Sequence, residues 1–172
     1  EPEWHAARAN RISASLFGAA AGHNKYCSQE QLVREKLWKK FETNNAMRHG
    51  TFHEDDAEIT YRAYMKEWLG DREFWVEHTG LIIVKDTPFV GVSPDGIAHT
   101  KLEDGTDFQW LIEIKCPFSR GDPKLYPKIP WYYYDQIQGI MGFLNLPFAD
   151  FIVWTPATTQ ITRFKYNKPY FE

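Results

Sequence analysis

Asp95, Glu113 and Lys115 are two carboxylates and an ammonium whose spacing lets them meet. Asp95 lies in Ser93-Pro-Asp-Gly96, a composition suited to a tight turn. Glu113 and Lys115 lie in Phe108-Gln-Trp-Leu-Ile-Glu-Ile-Lys115, whose β-branched and aromatic residues read as a strand. Alternate side chains of a strand point to opposite faces. Phe108, Trp110, Ile112 and Ile114 therefore share one face, and Gln109, Leu111, Glu113 and Lys115 the other. A hairpin closing at Glu103-Asp104-Gly105 brings Asp95 beside Glu113. Such a cluster suits a hard cation like Mg²⁺, which takes oxygen ligands, keeps several waters and reaches a phosphate oxygen. The cation lowers the pKa of a bound water and offsets charge developing on the phosphate. Lys115 is placed to orient that water or assist its deprotonation. A lone Glu-x-Lys would be a surface ion pair of small worth; the upstream Asp95 at hairpin spacing tips the reading toward chemistry.

The rest of the chain must position these groups. Its 172 residues suffice for one domain with a real core, taken as 1–172. An aromatic content of 16%, with seven Trp, predicts a dense core plus some exposed rings. The net charge of −3 argues against a broad basic surface for nucleic acid, though not against a local basic groove. Cys27 and Cys116 form no disulfide framework or zinc signature, and Cys116 reads as a small buried residue. No apolar run approaches transmembrane length and no signal peptide is visible, so the expectation is an intracellular protein, neither secreted nor on a membrane.

A short helix is expected from Ser13 or Ser15 to Gly22, with Arg8 just before it. Hydroxyl, guanidinium and helix N-terminus together form an anion site, or else a plain cap with a solvated Arg. Ser28 to Phe41 reads as a helix opened by a Ser28/Gln31 capping box, with Val33, Leu37 and Phe41 as a core stripe and Trp38 beside it. Residues 46–69 read as a longer helix with Tyr61, Tyr64, Met65 and Trp68 as its apolar stripe. Its acidic cluster Glu54, Asp55, Asp56 and Glu58 suits a helix start; Glu54, one turn past Gly50, is a further candidate site carboxylate. His49 and His53 are helical neighbours without a third nitrogen or sulfur ligand, and read as solvated or supporting residues rather than a metal site.

Strands follow at 74–78, 81–84, 89–92, 97–99 and 108–115, read together as an antiparallel meander. Residues 118–130 carry Arg120, Lys124 and Lys128 among aromatics and prolines. This loop is either a contact for a phosphate backbone and exposed bases or a stiff connector. A helix is expected from Trp131 to Leu146; its Gln136 and Gln138 read either as surface residues or, for Gln136, as a side chain facing the site, where its amide can bond a carboxylate or the water. Strands 150–155 and 160–166 close the chain.

The order of elements and five motifs resemble the PD-(D/E)xK nuclease superfamily, within it the lambda-exonuclease-like branch, or YqaJ-like viral recombinase domain. The motifs are Trp4-His5-x-x-Arg8 with Ser13-Ala-Ser15, Gly50-x-x-x-Glu54, Ser93-Pro-Asp-Gly96, Leu111-Ile-Glu-Ile-Lys-Cys-Pro117 and Gln136-Ile-Gln138. The resemblance implies an α/β (α+β) fold with a central mixed β-sheet, the meander within it and helices on its flanks. It implies metal ligation by Asp95, Glu113 and the Ile114 carbonyl, with Glu54 completing the set. Lys115 would position the attacking water and Gln136 touch the centre. Arg8, Ser15 and Ser93 would grip a 5′-terminal phosphate. The implied activity is Mg²⁺-dependent 5′→3′ exonuclease cleavage of duplex DNA, with Mn²⁺ as alternative metal, leaving 3′ single strands for recombination. Implied partners are double-stranded DNA ends, a single-strand annealing protein and, in ring-forming relatives, two further copies in a trimer; the setting would be a phage- or virus-infected cell, in its cytoplasm or nucleus. Two other readings stay open: an endonuclease of the same superfamily, and a non-cleaving DNA-end-binding module.

Overall fold

The structure is a computed structural model and describes residues 2–38, 45–119, 122–123 and 129–172. In chain order the elements are α1 (Pro2–Ala9), β1 (Ile12–Ser13), a 3₁₀ turn (Ala14–Leu16), α2 (Phe17–Ala20), α3 (Gln29–Trp38) and α4 (Asn45–Leu69). Strands β2 (Phe74–Glu77), β3 (Ile82–Ile83), β4 (Val90–Val92), β5 (Gly96–Lys101) and β6 (Asp107–Lys115) follow. The pair β7 (Phe118–Ser119) and β8 (Asp122–Pro123) precedes α5 (Trp131–Leu144), β9 (Phe148–Thr155), β10 (Thr158–Lys165) and α6 (Lys168–Phe171).

The fold is mixed α+β. Five strands make the central sheet in the order β10-β9-β6-β5-β2. β6 is its middle strand, antiparallel to β5 and parallel to β9, with α5 as the crossover between β6 and β9. Both faces of β6 are covered, so its residues are buried almost without alternation. Trp110, Ile112 and Ile114 pack with Ala57, Tyr61, Met65 and Leu69 of α4. Leu111 packs on the other face with Ile137, Ile140 and Met141 of α5. The expected division of the strand's faces holds, and the expected β5–β6 hairpin closes over 102–106, with Gly105 at φ 83°.

The meander expectation needs correction. β2 pairs with β5 rather than with β3. β3 and β4 leave the main sheet and form a three-stranded sheet with β1, in the order β1-β4-β3. The reason lies in β4: Val90, Gly91 and Val92 are all buried, and the parallel β1 takes one edge while β3 takes the other. This small sheet carries the chain into Ser93-Pro-Asp-Gly96.

The stripe expected on α3 is also corrected. Leu32 is its buried residue, whereas Val33, Leu37 and Trp38 are exposed; Phe41 lies outside the described residues. Ser28 Oγ does accept the Gln31 N–H at 3.1 Å, as a cap should. On α4, Tyr61 and Met65 are buried as expected, but Tyr64 and Trp68 are exposed and Ala57 and Leu69 complete the stripe. Ser13 precedes the 3₁₀ turn without capping it; its hydroxyl meets Arg8 and Ser15 instead. The helices α1 and α6 had no expected counterpart. α5 ends where Asn145 turns left-handed at φ 54° and the Leu146 N–H donates to Met141 O. Among the described residues no helix is long and apolar enough to cross a membrane.

Candidate active site

The carboxyl end of β6 is where α4 and α5 approach the sheet from opposite faces. Gly96 lets the Asp95 bend come close there, since a Cβ would stand 2.6 Å from Val76 Cγ1 and 2.8 Å from Ile112 Cδ1. Asp95 Oδ2 accepts the Ile114 N–H at 2.6 Å, which locks the carboxylate onto β6. Glu113, on the α5 face, is 1% exposed. Its Oε1 accepts from Lys115 Nζ at 2.5 Å and from Gln136 Nε2, while its Oε2 is buried and has no hydrogen-bond partner among the described residues. Lys115 Nζ also donates to the Ile114 carbonyl at 2.8 Å and lies 3.8 Å from Asp95 Oδ2. The Tyr133 ring flanks the ammonium at 5.5 Å.

The charges feel one another strongly. Burial pushes the Glu113 carboxyl up to about 7, and the like charge of Asp95 adds to it, against the opposing pull of Lys115. Burial also raises Glu54, reinforced by Asp95 and opposed by Lys115, so the α4 carboxylate shares the field of this centre. Burial alone would lower Lys115, but Glu113 and Asp95 outweigh it and hold the ammonium charged. Burial lifts the neighbouring Cys116 thiol to about 12, which keeps it protonated and inert.

Asp95, Glu113 and the Ile114 carbonyl offer three oxygen sources, and the Lys115 ammonium reaches all three. The orphaned Glu113 oxygen and the raised carboxyls are signs of a site short of positive charge. The donor chemistry fits a hard divalent cation. Among the described residues no three His, Cys, Asp or Glu side chains form a metal cluster by themselves. His53 Nδ1 lies 3.0 Å from Asp56 Oδ2, and His49 Nδ1 3.3 Å from the Cys116 carbonyl oxygen.

A second group of residues gathers nearby. Arg8 Nη2 donates to Ser13 Oγ and Ser15 Oγ, both at 3.4 Å. Burial lowers its pKa while Glu113 opposes that, so the guanidinium senses the carboxylate centre. Ser13 pairs in parallel with Gly91; Ser15 lies in the 3₁₀ turn just past β1, and Ser93 directly follows β4. Arg120 and Lys124, with Lys128, lie outside the described residues. Gln138 faces away from the centre: it donates to Lys165 O and accepts from Asn167 N.

The sequence reading passed over Ser13 as a partner of Arg8, and His78 altogether. Glu58 was seen only as helix-start charge, although it lies one helical turn beyond Glu54. His78 Nδ1 lies 3.1 Å from the Asp95 carbonyl oxygen and its Nε2 3.1 Å from Glu58 Oε2.

The chain belongs to the YqaJ-like viral recombinase domain family, which it matches over residues 3–144. Among solved structures it is similar to an alkaline exonuclease, LHK-Exo, from Laribacter hongkongensis, at 26% identity and a TM-score of 0.73. That match covers 99% of this chain and 84% of the other. It is similar also to LHK-Exo in complex with dAMP, at 25% identity and a TM-score of 0.74, over 98% of this chain and 84% of that one. Among curated proteins no sequence match was found. Family and neighbours support a nuclease of exonuclease type, on the mixed α+β fold described above.

Proposed function

We propose that this chain is a divalent-metal-dependent exonuclease that degrades one strand of duplex DNA from its 5′ end, leaving a 3′ single strand for recombination. The observation that carries the reading is the convergence of Asp95, Glu113, the Ile114 carbonyl and Lys115 at the end of β6, with one Glu113 oxygen unpartnered. Asp95, Glu113 and Ile114 O would hold Mg²⁺ or Mn²⁺, with Glu54 as the fourth oxygen source. The cation, when bound, supplies an acidified water and offsets charge on the scissile phosphate. Gln136 fixes one Glu113 oxygen and leaves the other free for ligation. Lys115 keeps its proton and holds the attacking water by donating to it. Arg8, with Ser13, Ser15 and Ser93, gathers donors for a terminal 5′-phosphate. The neighbour bound to dAMP, a nucleoside monophosphate, accords with release of mononucleotides.

The test is a time course on linear duplex DNA carrying a 5′-phosphate or a 5′-hydroxyl, with Mg²⁺ or EDTA, beside a closed circle. Metal-dependent loss of the 5′-phosphorylated strand with the circle intact is the expected result. A cut circle would instead mean an endonuclease, and binding without product an end-binding module. Arg8→Ala should lower the preference for phosphorylated ends by about tenfold or more, the worth of a charge-assisted hydrogen bond.

A further inference from the structure

Glu54 and Asp95 come from different elements, α4 and the bend between β4 and β5. A site that uses both needs their separation fixed, and one side chain spans the gap. His78, just past β2, donates from Nδ1 to the Asp95 carbonyl oxygen at 3.1 Å, since a carbonyl can only accept. Its Nε2 lies 3.1 Å from Glu58 Oε2. Glu58 is itself held from behind, as Arg62 Nε donates to its Oε1 at 2.6 Å and Arg62 Nη2 reaches the Val76 carbonyl at 3.4 Å. Glu58 stands on the same helix as Glu54, one turn along. The path therefore runs from the helix bearing Glu54 through Glu58 and His78 to the backbone of Asp95.

We propose that His78 is a positioning residue that sets the separation between Glu54 and Asp95, with Glu58 as its anchor. The proposal rests on the reading of those two carboxylates as cation ligands. Asp95 is held at two points: its carboxylate by the Ile114 amide, its carbonyl by His78. Without the imidazole the carboxylate stays on β6, but the bend is released from α4. The ring is 61% exposed, so its removal takes little from the core. An ordinary surface ion pair in this place would affect neither ligation nor the bend, whereas residues that orient metal ligands change affinity by about 10–100-fold.

Two measurements test this, amide hydrogen exchange of the metal-free protein and Mn²⁺ titration by calorimetry. The proteins are wild type, His78→Ala, His78→Asn, Glu58→Gln, Glu54→Gln and the Glu54→Gln/His78→Ala double variant. His78→Ala should speed exchange at Ser93, Asp95 and Gly96 and weaken Mn²⁺ binding by about tenfold. Glu58→Gln should act in the same direction, and His78→Asn, which keeps a donor, should recover part of the loss. In the Glu54→Gln background the His78→Ala effect on Mn²⁺ binding should vanish. Unchanged exchange, unchanged affinity, or an equal loss without Glu54 overturns the proposal. Absence of Mn²⁺ binding by wild type, or undiminished binding by Glu54→Gln, would instead overturn the cation-site reading beneath it.

Discussion

Two carboxylates on neighbouring strands, Asp150 and Glu113, are equally buried at 1% exposure and belong to opposite tasks. Asp150 is surrounded by donors. Arg163 Nε and Nη2 reach its two oxygens at 2.7 Å each, Tyr61 OH donates at 2.6 Å and Trp110 Nε1 at 3.0 Å. The clasp ties α4, β6, β9 and β10 together on one face of the sheet, and the Arg163 guanidinium also lies over the Trp68 and Trp110 rings. Glu113, on the other face, has one oxygen without a partner among the described residues and a second carboxylate beside it. A buried charge with both oxygens matched by donors holds a fold together; one left short is a place for chemistry.

Replacing each carboxylate should separate the two roles. Glu113→Gln should remove cleavage by a factor on the order of 10³ or more, because several kcal/mol of charge stabilisation would depend on the proposed cation. The same variant should leave the thermal midpoint unchanged or higher, since an electrostatic conflict has gone. Asp150→Ala should do the reverse. It leaves the Arg163 guanidinium, the Tyr61 hydroxyl and the Trp110 N–H without their acceptor, and should cost about 3–5 kcal/mol in denaturant unfolding. The folded fraction should still cut. If Asp150→Ala lost activity without losing stability, the contrast drawn between the two residues would be wrong.

A pH series gives a smaller effect. Glu113 titrates at about 7 in the folded chain, against an ordinary value of 4.5. Between these values the folded state holds the proton more tightly than the unfolded one. Stability of the metal-free protein should therefore fall as pH rises through that window. Glu113→Gln should flatten the slope, which denaturant titrations at a few pH values would reveal. Divalent binding demands the ionised carboxylate, so affinity should climb with pH over the same range. The smallest effect is expected for Gln136→Ala, which frees the Glu113 oxygen without removing it: roughly tenfold in turnover, with stability little changed.

Much of the centre was legible because it is local. Asp95, Glu113 and Lys115 sit on one hairpin, where strand alternation and turn composition decide which side chains meet. Glu54 and Gln136, which arrive from distant helices, were only candidates on their residues, and the family resemblance gave them their implied roles. What stayed hidden depends on partners far along the chain. Helical periodicity marks an apolar face, as on α3 and α4, but not whether anything covers it; hence Val33, Leu37, Tyr64 and Trp68 are exposed. The departure of β3 and β4 into a separate sheet follows from the pairing of β1, a two-residue strand too short to read. Asp150, Arg163, Tyr61 and His78 are ordinary residues until the fold brings their partners.

The β5–β6 hairpin has a further consequence for how the molecule forms. Its turn closes a short loop, so little chain entropy opposes its pairing, whereas β6 must wait for α5 before meeting β9 and for the long α4 before gaining Glu54. Asp95 and Glu113 are thus adjacent in a piece of low contact order. Three of the four proposed oxygen ligands, Asp95, Glu113 and the Ile114 carbonyl, would then be together before α4 brings Glu54. Ca²⁺ or Mg²⁺ present during refolding would then speed the early step as well as stabilise the finished structure.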